Sequence, residues 1–273
     1  LGLLVAVLVV FAAFGAWYAR GRIETVEDYI TARNSTGGGA LTATVVASSM
    51  GAWILFSPAE AGAAFGGITA VAGYAAGSAL ALAAFAVVGP RIRTLLPAGH
   101  SLTEYAYARY GPAMYGYVLV VSVAYMFVFL AAEFTGIAGA LSLIASVPGW
   151  QTATVVGVTV LAYTGYGGLR ASMVTDTVQT VLILPLLIVS VIATLLALGG
   201  TDTAHATVVD GAPDLLAVGS PSGLAFGAYV VVAIVGAEML NQAWWQRVYA
   251  ASDEGTLRRA FLVAAVAVVP MVF

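Results

Sequence analysis

At 273 residues, of which 61% are hydrophobic and 8% charged, this chain has too little polar surface to dissolve as a globule, and its net charge of −3 points to no particular partner. Cysteine is absent, which excludes disulfides, thiolate metal sites and cysteine nucleophiles. The composition is that of an integral membrane protein whose first partner is the lipid bilayer, with no basic tract suited to nucleic acid.

Apolar runs long enough to cross the hydrocarbon, about 20 residues each, occur near 1–19, 41–65, 68–88, 113–147, 150–166, 173–199, 222–246 and 259–273. That predicts eight spans. The first lacks the basic start and the small-residue cleavage site of a signal peptide, so it reads as a span. The chain begins without Met and stops inside an apolar run, as a piece of a longer protein would.

The second span, "VVASSMGAWILFSPAEAGAAFGG", carries Ser48, Ser49, Gly51, Pro58 and Glu60, all of which weaken an apolar helix. Pro58 has no N–H and its ring opposes the Ile54 carbonyl, so the helix is predicted to break there, with Gly51 loosening the turn before it. Backbone polar groups freed inside a membrane are costly unless they line a cavity or bind a cation. A proline kink absorbed by neighbouring helices is the competing reading.

Between the third and fourth spans, "GPRIRTLLPAGHSLTEYAYARYG" holds His100 and an amphipathic stretch from Leu102 to Tyr110, predicted as a short interfacial helix. His100 and His205 are far apart and have no ligand-spaced neighbours, so no metal site is expected. Glu133 is the carboxylate deepest within a span, in the fourth; Glu60 and Glu238 read as lying nearer membrane faces. No Lys or Arg is expected at the depth of any of the three, so each must be protonated, wet or bound to a cation.

Gly167 and Gly168 turn the chain between the fifth and sixth spans, and Asp176 follows one turn into the next helix, where it could merely cap the first turn. The stretch 200–221 is predicted as a loop carrying Asp202, Asp210 and Asp214. The seventh span ends in Asn241, Gln242, Trp244 and Trp245; two tryptophans at that place can serve as interface anchors.

All ten basic side chains are arginines: Arg20, Arg22, Arg33, Arg91, Arg93, Arg109, Arg170, Arg247, Arg258 and Arg259. With eight alternating spans they fall in connections on one side, which predicts a cytoplasmic face there, the N-terminus outside and 200–221 external, in a multi-pass protein of the cell membrane.

"EDYITARNSTGGG", "YGGLRASMVTDTVQ" and "NQAWWQRVYAASDEGTLRRA", in this order around the broken second span, resemble the sodium:solute symporter family, the carriers of proline, sugars, pantothenate and sialic acid. The resemblance covers nearly the whole chain. It implies an all-α integral membrane fold with a LeuT-like core of inverted five-helix repeats: one extra helix at 1–19, the first repeat at 41–199 and the start of a second at 222–273, which the chain does not finish. It further implies Na⁺ as coupling ion, held by the carbonyls of Ala47 and Met50 and by hydroxyls from a helix beyond Phe273, with Asp176 on the ion's exit route or at a second ion site. By the same resemblance the solute meets Ser49, Trp53, Ile54 and the seventh span. Glu133, Asn241, Gln242, Trp244 and Trp245 are added as candidates from their position and polarity. No organic cofactor is implied.

The sugar carriers place amides and acids where this chain has Trp53, Ile54, Gly73 and Ile234, so an amino acid, a small carboxylate or a urea-like solute is expected rather than a sugar. The expected function is therefore sodium-coupled import of a small organic solute. A transporter-like sensor domain of a signalling protein is the alternative; an intramembrane enzyme would need a paired catalytic constellation that the spans lack.

Overall fold

The computed structural model describes residues 1–273, and the chain is helical from end to end. Helix α1 (Gly2–Ala19) packs along α8 (Gly149–Ala197), and a short α2 (Val26–Ile30) follows it. The broken span comprises α3 (Gly38–Ser49), a 3₁₀ turn (Ala52–Leu55) and α4 (Ser57–Phe65). Then come α5 (Gly67–Leu95), the short α6 (Leu102–Tyr110) where the amphipathic stretch predicts it, and α7 (Pro112–Ala145). Beyond α8 lie α9 (Thr201–Gly211), α10 (Pro221–Met239), α11 (Gln242–Ala250) and α12 (Glu254–Val272).

Six helices are each long and apolar enough to cross a membrane. One of them, α8, has 49 residues, roughly 70 Å at 1.5 Å per residue and too long for a single crossing. It bends at Gly168, whose φ of 53° and ψ of −150° no helix contains. A side chain there would strike the Tyr29 carbonyl, so both the conformation and the close approach of α2 require glycine. With α8 divided at Gly168 and the broken span taken as one, the helices match the eight expected spans in number.

Four expectations need correction. The second span breaks at Met50 and Gly51, while Pro58 sits in the first turn of α4, where its missing N–H leaves no bond unmade. The seventh span is not continuous over 222–246: α10 stops at Met239, and Asn241 caps a separate α11 by accepting the Ala243 N–H. The stretch 200–221 is not a loop, because α9 and a 3₁₀ turn at Pro213–Leu216 occupy most of it. The second arm of α8 begins at the Gly168 kink, so Asp176 lies two turns inside it and caps nothing.

The core is formed by α3, α5, α11 and α12. Phe85 is its hub, stacked on Phe261 at 5.4 Å and edge-on to Trp245 at 5.1 Å between centroids. Against α5 lies α10, with Gly73 and Gly227 in direct backbone contact; with no hydrophobic drive inside lipid, such glycine pairs let helices gain van der Waals contact.

The arginine-bearing connections meet at one end of the bundle. There Arg33 donates to Glu27 and to the Pro97 and Gly99 carbonyls, Arg93 to Asn34 and the Val248 carbonyl, and Arg170 to Asp28. At the other end the turn at Gly66 meets the segment before α10, where Ser220 donates to the Gly66 carbonyl and Thr69 to that of Ala217.

Candidate functional site

The two interrupted spans face each other across a cavity of about 370 Å³. On one side the chain leaves helical geometry at Met50 (φ −108°, ψ 73°) and Gly51 (ψ 177°). The carboxylate of Glu133, on α7, closes over this gap: its Oε2 accepts the Ala52 N–H at 2.6 Å, and its Oε1 is buried with no protein partner. A side chain at 51 would overlap that carboxylate, so glycine there gives Glu133 the space to sit against the break.

On the other side, Glu238 stands in the last turn of α10, where the helix dipole disfavours negative charge. Three donors offset this. The Tyr125 hydroxyl donates to Oε1 at 2.8 Å, while Asn241 Nδ2 at 2.9 Å and the Trp244 indole donate to Oε2. The break after Met239 thus lets α11 turn its first residues back onto the carboxylate ending α10. Trp53, stacked on Tyr74 at 5.6 Å, and Phe129 supply aromatic wall between the two acids.

Below the cavity, three elements meet at one carboxylate. Asp176 Oδ2 accepts from Thr44 on α3 and, at 2.6 Å, from Arg247 Nη2 on α11, with Ser48 at 3.3 Å. Arg247 is buried, and its remaining donors reach the Thr44 hydroxyl and the Ala243 carbonyl. Asp176 Oδ1 has no protein donor. The Ala47 carbonyl, one turn above Thr44, accepts the N–H of Met50, the residue at which the break begins, at 3.0 Å.

Residues 29–273 match the sodium:solute symporter family. The chain belongs to that family. It is 28% identical to the spermidine transporter DUR31 of Candida albicans, over 93% of this chain and 47% of that one. It is equally similar, at 28%, to a probable urea active transporter of Schizosaccharomyces pombe, over 94% of this chain and 40% of the other. The chain therefore spans less than half the length of these relatives. Its fold matches that of a Na⁺-coupled sialic acid symporter solved in a substrate-bound outward-open state, with a TM-score of 0.83 at 17% identity, covering 99% of this chain and 57% of that one. The architecture is all-helical and follows the LeuT-like fold over the part of it that this chain spans, that of a multi-pass membrane protein.

In this symporter-family chain, five of the solute candidates share the cavity wall: Ser49, Trp53, Glu133, Asn241 and Trp244. The fold leads three others elsewhere. Ile54 faces a second, apolar cavity between the 3₁₀ turn and α7, Gln242 donates to the His100 carbonyl, and Trp245 packs in the core with its indole on the Met239 carbonyl. Trp244 and Trp245 are 4% and 1% exposed, so neither anchors the helix at an interface. Ser49 lines the cavity, but its hydroxyl turns back to the Val46 carbonyl at 2.7 Å.

Sequence reasoning missed Tyr74, Tyr125 and Glu238 as cavity residues. Of these Glu238 carried a signal: a carboxylate three residues before an Asn and six before a Trp, at the end of an apolar run. His100 was read as isolated, yet folding places it between Glu27 at 2.6 Å and Glu104 at 3.1 Å.

Proposed function

We propose that the full protein is a sodium-coupled carrier importing a small organic solute by alternating access. The observation that carries this reading is the pair of broken spans facing one cavity, the arrangement by which secondary transporters offer unsatisfied backbone and side-chain groups to ion and solute near the membrane midplane. The solute would meet Ser49, Trp53, Glu133, Asn241 and Trp244. Sodium would enter beside the break, at the carbonyls of Ala47 and Met50 completed by residues outside this chain, and would leave past Asp176 through its open Oδ1. The arginine-rich end would face the cytoplasm, with the N-terminus outside in the cell membrane.

The relatives' named solutes, spermidine and urea, are nitrogenous and neither is a sugar, which supports the expectation against sugars. Uptake of radiolabelled spermidine, urea, proline, succinate and glucose by the full-length protein in proteoliposomes tests the reading. An inward sodium gradient should drive uptake of at least one of them. Uptake indifferent to sodium would overturn the coupling, and absence of transport for every solute the protein binds would overturn the carrier.

A further inference from the structure

The cavity described above holds two carboxylates and no cationic side chain: neither Arg nor Lys lines it. The nearest guanidinium that touches its wall, Arg247, lies 5.9 Å from the Trp244 ring centroid and is already paired with Asp176. Glu238 is held by three donors, all neutral, so its charge is solvated but not cancelled. Glu133 keeps one oxygen, Oε1, buried and without any donor. An acid in that position within a membrane is costly until a donor or a positive charge reaches it.

The wall between the two acids is aromatic. Trp53, Tyr74, Tyr125, Phe129 and Trp244 present ring faces and edges to the same space, and ring faces attract cations most strongly where water is excluded. Carboxylates at two places with aromatic rings between them suit an extended or compact cation carrying N–H groups: an N–H completes Glu133 Oε1, and the positive charge balances Glu238. The same charges repel a carboxylate, which argues against the small carboxylate expected from the sequence.

Resting on the reading of this cavity as the solute site of a carrier, we propose that Glu133 and Glu238 select a small organic cation with N–H donors, a protonated amine. The amine's ammonium group would pair with the Glu133 carboxylate, whose Oε1 turns away from the Gly51 backbone to accept it, while its alkyl part lies against Trp53 and Trp244.

The test uses the purified full-length protein with sodium present, following tryptophan fluorescence as spermidine, urea or succinate is added. Spermidine should give a saturable change, because Trp53 and Trp244 line the site, and excess succinate or urea should not displace it. Glu133→Gln keeps an oxygen for the Ala52 N–H, removes the charge and puts an NH₂ donor where Oε1 stood. It should weaken spermidine binding about tenfold or more, the scale of one charge-assisted hydrogen bond, with its thermal midpoint showing that it is folded. Preferential binding of succinate or urea by the wild type, which needs no variant, would overturn the proposal, as would native spermidine affinity in folded Glu133→Gln. Parallel proteoliposome uptake separates the two readings: spermidine bound but never transported sinks the carrier and leaves the cation site, whereas sodium-driven uptake of urea without spermidine binding sinks the cation site and leaves the carrier.

Discussion

Arg247 Nη2 lies 2.6 Å from Asp176 Oδ2, and both side chains are largely withdrawn from solvent, at 5% and 15% exposure. The pair joins α11, which follows the break after Met239, to the second arm of α8, and Thr44 brings in α3 through the same oxygen. One ion pair thus fastens one half of each interrupted span. Removing one partner of such a pair strands the other charge, at a cost of about 3–5 kcal/mol. Asp176→Asn and Arg247→Gln should each lower the thermal midpoint, and the double variant should lose less than the sum of the two. Additive losses would mean that the two groups act separately. In transport, Asp176→Asn should also raise the sodium concentration needed for half-maximal uptake; unchanged sodium dependence in folded protein would remove Asp176 from the ion's route.

The contact between Gly73 on α5 and Gly227 on α10 leaves no room for a β-carbon at 73. Gly73→Leu should push α10 away and lower the thermal midpoint by several degrees, with a smaller loss for Gly73→Ala. A midpoint unchanged in Gly73→Leu would show that the two helices do not pack face to face.

Much of the architecture was legible before folding, because span length and arginine placement depend on the bilayer, which acts on the sequence locally. The existence of the second-span break was legible from Gly51 for the same reason. Its position was not, since proline weakens a helix interior but suits a first turn, and only the start of α4 decides which applies to Pro58. The break after Met239 was hidden because α10 and α11 carry no Pro or Gly at the junction; it is fixed by Asn241, Trp244 and Tyr125 converging on Glu238, and Tyr125 is 113 residues away. Ile54, Gln242 and Trp245 lie off the cavity wall because nearness in sequence to cavity residues does not settle which side of a helix a residue occupies.

Glu27 offers a pH test outside the membrane. Burial alone would raise its pKa, but hydrogen bonds from Thr31, His100 and Arg33 outweigh this and bring it from 4.5 to about 2. A folded-state pKa below the unfolded one gives stability that is fully present above about pH 4.5 and lost as pH falls toward 2. Glu27→Gln should therefore be less stable than wild type at neutral pH, and the gap should close between those values. A gap that stays constant down to the acid limit would show that Glu27 is not held as a carboxylate.

Ser49 contributes space to the cavity rather than a hydrogen bond, since its hydroxyl is committed to the Val46 carbonyl. Ser49→Ala should thus bind solute within about threefold of wild type, the loss of one local hydroxyl contact. Ser49→Leu should abolish binding by filling the cavity. If Ser49→Leu protein, inserted at normal levels, keeps native affinity, the solute site lies elsewhere.

Sidedness can be read from two exposed positions. Glu24 lies with the arginine-rich connections and Asp210 on α9 with the acidic ones, and both are exposed. Ser101 and Ser220 would be poorer reporters, because each caps a helix through its hydroxyl. The chain itself contains no cysteine, so a thiol introduced here has no competitor within these residues. If arginines mark the cytoplasmic face, an impermeant thiol reagent applied to intact cells should modify Asp210→Cys and spare Glu24→Cys, which should react only after the membrane is permeabilised. The reverse pattern would invert the protein, and with it the direction in which Asp176 lies on the ion's path: a carboxylate now read as the last one sodium passes would become the first it meets.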